Sequence, residues 1–362
     1  MTTLISQFEY QSKACAKLGS PLYAELLAAG ARDVLDGGPC AAAVAGFEDE
    51  PRDAALPLRF MAAVHALVLS GAAPDLAAYY PSAGASARPY DLDAWPIFRE
   101  VVIGQQDWIR TWLATPPRAP QTNDVGRAVP LLAGLLAAVD ATPLPVRLFE
   151  LGSSAGLNLR ADHFHWRTGD LEWGRTDSPV TLGDAWEGPI PSWLETAVRH
   201  HPTVPVIERR GCDPAPIDPL SARGALALRS YLWPDQVERA ARLNGALRLA
   251  ESVPAEVIHT GAAEFLSKVD LVPGTLTVVW HSVMRQYVQV QEWKAVSAEL
   301  DRLAAASRAD AAFAHIAFEP QLNRDDRNGF RLTARIGRQP ETVLSRAKPH
   351  GVPAFVFPDD RI

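Results

Sequence analysis

The sequence predicts an α/β protein, a doubly wound parallel sheet preceded by an all-helical domain. Three features carry that reading. Residues 1–114 show helical spacing of apolar residues almost throughout. A proline-dense connector, "TPPRAPQ" at 115–121, can hold neither a helix nor an inner strand. Beyond residue 145 short β-rich runs alternate with amphipathic helices, which is the signature of a parallel sheet with crossover helices. The domains so defined are a helical cap or substrate domain over 1–120 and an α/β domain over 121–362.

In the first domain, "PLRFMAAVHALVLSG" (57–71) puts Phe60, Val64, Leu67 and Val68 on one helical face. "AWPIFREVVIGQQDWIRTWLAT" (94–115) repeats the pattern with Phe98, Val101, Val102, Trp108 and Trp112, its tryptophans spaced as core residues. "TNDVGRAVPLLAGLLAAV" (122–139) starts the second domain as a helix, with Thr122 or Asn123 as N-cap. Strands are predicted at 146–151, 204–209, 255–260, 275–281 and 312–318, with helices at 219–232, 235–250, 262–268 and 291–306 between them. The tail "FRLTARIG … VPAFVF" reads as antiparallel strands closing one edge. Residues 163–203 form an insertion in which "FHWRTGDLEWG" predicts a β-hairpin turning at Thr168-Gly169-Asp170.

Composition narrows the function. Net charge is −7 and Lys and Arg form no dense run, so nucleic acid is excluded as the main partner. Three scattered cysteines and no C-x-x-C argue against a disulfide framework or a thiolate metal site. The start "MTTLISQFEYQSK" lacks a basic segment followed by an apolar core, and "VPLLAGLLAAV" (129–139) is too short to span a bilayer. A cytoplasmic protein without a membrane partner is expected. The sequence leaves homo-oligomer formation open.

"FELGSSAGLNL" (149–159) contains two motifs. Gly152-Ser153-Ser154-Ala155-Gly156 spells G-x-S-x-G, a nucleophile elbow with Ser154 as the nucleophile. The same run is an apolar strand ending in Glu150, with a glycine loop opening a helix, as in a cofactor-binding turn. An elbow needs earlier strands, an oxyanion loop, an acid and a histidine. Here 146–151 is the first convincing strand, and Asp213 with His281, His315 or His350 is a triad most long chains would offer.

The cofactor reading makes checks downstream. The second strand runs into "VIERRGCDPAPID", placing Asp213 where a carboxylate can accept from both ribose hydroxyls. The third leads through Ala262 and Ala263 in "VIHTGAAEFL", small residues that leave room for a flat adenine. The fourth, "TVVWHSVMRQYV", puts His281 at the carboxyl edge, where ligands bind in open α/β sheets.

On these stretches residues 122–358 resemble a class I S-adenosylmethionine-dependent methyltransferase domain. Through "QTNDVGRA", "RSYLWPDQVERAARL" and "LTVVWHSVMRQYV" the whole chain is similar to an uncharacterised bacterial family known only as a domain of unknown function. The resemblance implies a Rossmann-like sheet of seven strands, the last antiparallel. It also implies S-adenosylmethionine as cofactor, with Glu150, Gly152, Ser153, Ser154 and Gly156 along its methionine part and Asp213 on its ribose. Two positions depart from the family pattern. Ser154 replaces a loop glycine, and the adenine-side position, often acidic, is Ala262, so adenine recognition falls to backbone groups or Glu264.

Each candidate has a plainer alternative. Glu150, costly to bury alone, takes a ligand ammonium or pairs with an arginine such as Arg127. Asp213 holds ribose or caps a helix. Asn123 and Arg127 line the cofactor mouth or cap the helix. His281 is the candidate base for methyl transfer, since its imidazole titrates in the useful range, or a buried histidine on a carbonyl. Tyr287 orients the acceptor or packs. His163 and His165, with Asp162, resemble a metal cluster, but the spacing gives two ligands on one strand face and no evident third, so no metal is expected.

The favoured function is methyl transfer to an oxygen or nitrogen of a small molecule, with the helical domain capping the carboxyl edge. Chemistry on the cofactor's aminocarboxypropyl arm, hydrolysis through Ser154, and cofactor binding without turnover are the alternatives.

Overall fold

The computed structural model describes residues 2–51, 54–84, 87–90, 93–115, 120–320 and 330–356. Most of the proline-dense connector proposed as a domain boundary, 116–119, lies outside the described residues. Contacts divide the chain into two units, Met1–Thr122 with Pro219–Ala241 and Asn123–Asp218 with Arg242–Ile362. The segment 219–241, read from sequence as part of the α/β succession, thus packs with the N-terminal helices.

The first unit is helical: α1 (Thr2–Lys17), α2 (Pro21–Leu35), α3 (Pro39–Ala43), α4 (Leu56–Leu69), α5 (Pro74–Ala77), α6 (Ala94–Gly104) and α7 (Gln106–Ala114). The helical pattern over 94–115 forms two helices, α6 and α7, which meet at Gln105 (φ −121°). Phe60, Val64, Leu67 and Val68 are buried as expected, but so are Met61, Ala62, Ala63 and Ala66 around the rest of α4. A helix apolar on all sides forms the centre of a unit. Trp95, Trp108 and Trp112 pack against this core, and Trp108 stacks on Trp112 at 5.2 Å.

Within α4, His65 is buried, with Nδ1 3.0 Å from the Ser230 carbonyl oxygen and Nε2 2.6 Å from Ser82 Oγ. Burial lowers its pKa to about 4, against the raising effect of the Ser230 and Leu232 carbonyls. The folded state therefore binds fewer protons than the unfolded chain, whose histidine titrates near 6.5. The stability due to His65 is complete above that value. It should fall by up to about 3 kcal/mol as the pH drops towards 4. The His65 imidazole resonance followed by NMR should titrate near the lower value. A midpoint near 6.5 would refute this.

The second unit opens on α8 (Ala128–Ala141) and β1 (Val146–Leu151), followed by β2 (His165–Thr168), β3 (Leu171–Gly174), β4 (Thr181–Leu182) and α9 (Ser192–His200). Then come β5 (Val206–Asp213), α10 (Ala222–Ser230) and α11 (Val237–Ser252), β6 (Glu256–His259), α12 (Ala262–Ser267) and β7 (Thr275–Ser282). The chain closes with α13 (Val290–Ala306), β8 (Ala311–Pro320), β9 (Phe330–Ile336), β10 (Thr342–Ala347) and β11 (Ala354–Phe355). Of these, α10 and the first turn of α11 belong to the first unit.

Among the described residues the main sheet has eight strands in the order β11-β10-β9-β8-β7-β1-β5-β6. The expectation of seven with the last antiparallel is corrected. Five strands, β6 to β8, are parallel, and the tail adds an antiparallel meander of three, β9–β11, directly onto β8. The insertion carries a separate small sheet, in which β2 pairs antiparallel with β3 across Gly169 and Asp170 and parallel with β4.

Register sorts the side chains by face. Glu150 lies opposite Gly211 and Trp280, while Leu151 lies opposite Cys212 and His281. Ile316 pairs with Trp280 and meets Gly134 of α8, so α8 covers the Glu150 face. Leu151, Cys212, Val279 and Phe313 join α12 and α13 in the core of the other face.

Candidate functional site

From β1 the chain crosses to β5 and β6 on one side and returns to β7 and β8 on the other. The switch point lies between the carboxyl ends of β1 and β7, the place where ligands bind in open α/β sheets. The loop 152–156 is there. It turns through three positive φ values, Gly152 (66°), Ser154 (54°) and Gly156 (65°), a conformation that favours glycine at the outer two. A Cβ on Gly152 would come within 2.8 Å of Met284 Cβ, and one on Gly156 within 2.7 Å of Val257 Cγ2. Both glycines thus admit neighbouring side chains.

The loop is held from several directions. Ser153 Oγ donates to the Glu150 carbonyl (2.8 Å), and the Ser153 N–H donates to the Cys212 carbonyl (3.0 Å). Asp213, at the end of β5, accepts from the Ser154 N–H through Oδ2 and from the Ala215 N–H through Oδ1, both at 2.8 Å. Asn123 Oδ1 accepts from the Leu157 N–H (2.9 Å), so Asn123 joins the loop and does not cap α8. Asp124, which sequence reasoning passed over, caps the 3-10 turn Val125–Arg127 that leads into α8, accepting from the Gly126 N–H at 3.2 Å. Arg127 donates to the Pro349 carbonyl (3.3 Å).

Two acids are buried here. Glu150 is 2% exposed, its Oε2 without a hydrogen-bond partner. Burial raises its pKa well above the usual carboxylate range and Asp213 adds to the rise, while Arg160 and the Trp280 indole oppose it. The Trp280 N–H itself completes no hydrogen bond. Burial also raises Asp213, against the Ala215 and Ser154 amides. Arg160 is the nearby cation, and its guanidinium donates to the Val253 (2.6 Å) and Gly156 (2.7 Å) carbonyls. Arg160 sits in the 3-10 turn Asn158–His163 that follows the loop, and its place four residues after Gly156 was the signal available in the sequence.

The remaining predicted residues lie elsewhere. The Ala263 N–H donates to Glu292 Oε1 (2.9 Å), and Ala262 packs in the α12–α13 core. Glu264 is exposed and held by Thr260 and Lys268. Tyr287 is half exposed in the 3-10 turn Arg285–Tyr287. Asp162 pairs with Arg209, His163 lies 3.5 Å from Asp162, and His165 lies 3.7 Å from Glu172 in a different direction. Cys212 is buried, its thiol pushed up to about 12 by burial, which makes it inert.

His281 projects from the opposite face to Glu150, against Trp293 of α13. Its Nδ1 lies 2.7 Å from Glu319 Oε1 and its Nε2 lies 3.1 Å from His315 Nε2. The Glu319 oxygen also accepts the Met284 N–H (3.0 Å), so it acts as an acceptor and His281 carries its proton on Nδ1. His281 Nε2 and His315 Nε2 share one proton between them, and burial depresses the His315 pKa well below the usual range. Both nitrogens of His281 are engaged. Glu319 ends its strand as Glu150 does, a signal present in "AFAHIAFEP" and not used. Between these residues Val283, a β-branched residue, holds a left-handed φ of 52° at the switch point. Such strain gathers at functional sites.

The family model for an uncharacterized protein conserved in bacteria (DUF2332) matches residues 6–355. This chain belongs to DUF2332. The match covers both units, so the helical unit is as much part of the DUF2332 pattern as the sheet. No curated protein and no solved structure matches the chain. No helix among the described residues is long and apolar enough to cross a membrane.

Proposed function

We propose that this DUF2332 protein binds S-adenosylmethionine at the carboxyl edge of its sheet and transfers the methyl group to an oxygen or nitrogen of a small molecule. The observation that carries the reading is the Glu150 carboxylate, buried with one oxygen unpartnered beside a second buried acid at the switch point. A ligand bearing an ammonium group would relieve that desolvation cost. Glu150 would hold the ammonium, and the loop 152–156 would lie along the methionine part. Asp213 would meet the ribose with the lone pairs left by its two amide bonds. When bound, the cofactor supplies a methyl group activated by the sulfonium. The chain's own contribution is to fix that arm and keep water from it.

S-adenosylmethionine or its demethylated product at about 100 times its Kd should add roughly 2.7 kcal/mol of stability. That raises the melting temperature by several degrees, whereas NAD and ATP should not. No shift at millimolar concentration would overturn the proposal. Release of the demethylated cofactor marks methyl transfer, and release of the cleaved arm marks elimination or cyclisation.

One observation favours a second reading, hydrolysis. Ser154 sits in a left-handed turn after a strand, as an elbow nucleophile does. Against it, Ser154 Oγ has no hydrogen-bond partner, while His281 and His315 bond each other and His350 bonds Asp124 at 2.7 Å. Ser154→Ala should leave cofactor-dependent activity within about tenfold, where a serine hydrolase would lose several orders of magnitude. Labelling of Ser154 by a fluorophosphonate would decide for the hydrolase.

A further inference from the structure

We propose that Asp140, His200 and His201 form a zinc site that clips α8 to α9. Among the described residues they are the one trio of His, Cys, Asp or Glu whose donor atoms all lie within 4.8 Å of one another. Asp140 Oδ1 lies 2.8 Å from His200 Nδ1 and 3.3 Å from His201 Nε2. Zinc–ligand bonds of about 2.0–2.1 Å in tetrahedral geometry separate neighbouring donors by about 3.3 Å. Of the three donor pairs, Asp140–His201 already has that spacing, Asp140–His200 needs to open by about half an ångström, and the two imidazole donors lie within 4.8 Å of each other. Both partners of that second pair are accessible side chains, so the adjustment is small.

Local structure makes the convergence. Two adjacent residues within a helix point about 100° apart. His200 is the last residue of α9, however, and His201 already leaves it (φ −126°, ψ 71°). The two rings stand at 84° to each other and meet the same carboxylate oxygen. The Trp173 indole N–H donates to the His201 carbonyl at 2.7 Å and holds that turn in place.

A second, independent feature favours a cation. Asp140 lies in the last turn of α8, and the histidines end α9, so two helix C-termini meet at the trio. Each places the negative end of its dipole there. Two imidazoles with one carboxylate suit a borderline divalent ion, and the exposed fourth position would take a water.

The location sets the role. Asp140 precedes β1 and His201 precedes β5, so the trio sits at the amino ends of the strands whose carboxyl ends carry Glu150 and Asp213. The ion would act as a structural clip across 60 residues, closing the segment that contains β2, β3 and β4.

The test is zinc titration of the full chain, freed of affinity tag and stripped with chelator, by calorimetry and by competition with a chromogenic chelator. One zinc per chain should bind with a Kd of about 10 µM or tighter and raise the melting temperature. The double variant His200→Ala with His201→Ala should weaken binding by about a hundredfold, and Asp140→Asn by about tenfold. Cobalt should give the intense visible absorption of a four-coordinate ion. Absence of stoichiometric binding, or equal affinity in wild type and the double histidine variant, would overturn the site.

Discussion

Glu150→Gln is expected to melt at a higher temperature than wild type when ligand-free, and to bind S-adenosylhomocysteine at least tenfold more weakly. The wild-type carboxylate is buried with Oε2 unpartnered, and burial with Asp213 nearby raises its pKa. A group raised in the folded state contributes fully to stability below its unfolded value, near 4.3, and loses that contribution as pH rises through the folded value. Glutamine cannot ionise, so the variant keeps what wild type loses, and the gap should widen from pH 6 to pH 8. Each pKa unit by which the fold raises Glu150 should contribute about 1.4 kcal/mol to that gap. The same change removes a charge-assisted bond to the ligand ammonium, worth about 1.5–3 kcal/mol, or one to two decades of affinity. Thermal melts at the two pH values with calorimetric titration check both halves. A variant less stable than wild type, with affinity intact, would make Glu150 a structural acid and remove the main support for a cationic ligand.

Asp213 should behave differently, because its two oxygens already serve two backbone amides, the buried one of Ser154 and the half-buried one of Ala215. Asp213→Ala leaves the Ser154 and Ala215 N–H groups without an acceptor, at about 1–3 kcal/mol each. Asp213→Asn offers one acceptor oxygen, while its NH2 group meets the second amide donor to donor. Asparagine, often a mild replacement at a cap, should therefore be nearly as damaging as alanine here. Both variants should also lose cofactor binding, since the Ser154 amide they release belongs to the loop. Chemical denaturation of the two variants, with cofactor titration of whichever stays folded, gives the answer. An asparagine variant as stable as wild type would mean that the carboxylate does not hold the loop.

Much of the α/β unit was legible because its signals are local. The run 146–151 is β1 to the residue, since a central parallel strand is apolar on both faces and bounded by turn residues. The predicted helices at 262–268 and 291–306 end within a residue of α12 and α13 for the same reason. The strand-ending acid, the glycines and Asp213 also cluster as the spacing implied, because carboxyl ends of parallel strands necessarily share an edge. The N-cap assignment failed at Thr122 and Asn123 because all of Thr122, Asn123 and Asp124 are capping residues. Tertiary contact decided among them, giving Asn123 to the Leu157 amide.

By itself, then, the sequence determined the element types, the parallel core of the sheet and the loop that joins Glu150 to Gly156. Each of these follows from residues a few positions apart. The tertiary structure alone decided which face His281 takes, that His315 and Glu319 occupy both its nitrogens, that 219–241 packs with the N-terminal helices, and that Asp140 meets two histidines. Those outcomes depend on strand register and on packing between segments far apart in the chain. A one-residue change of register moves every side chain to the other face while leaving the hydrophobic pattern of a doubly buried strand unchanged.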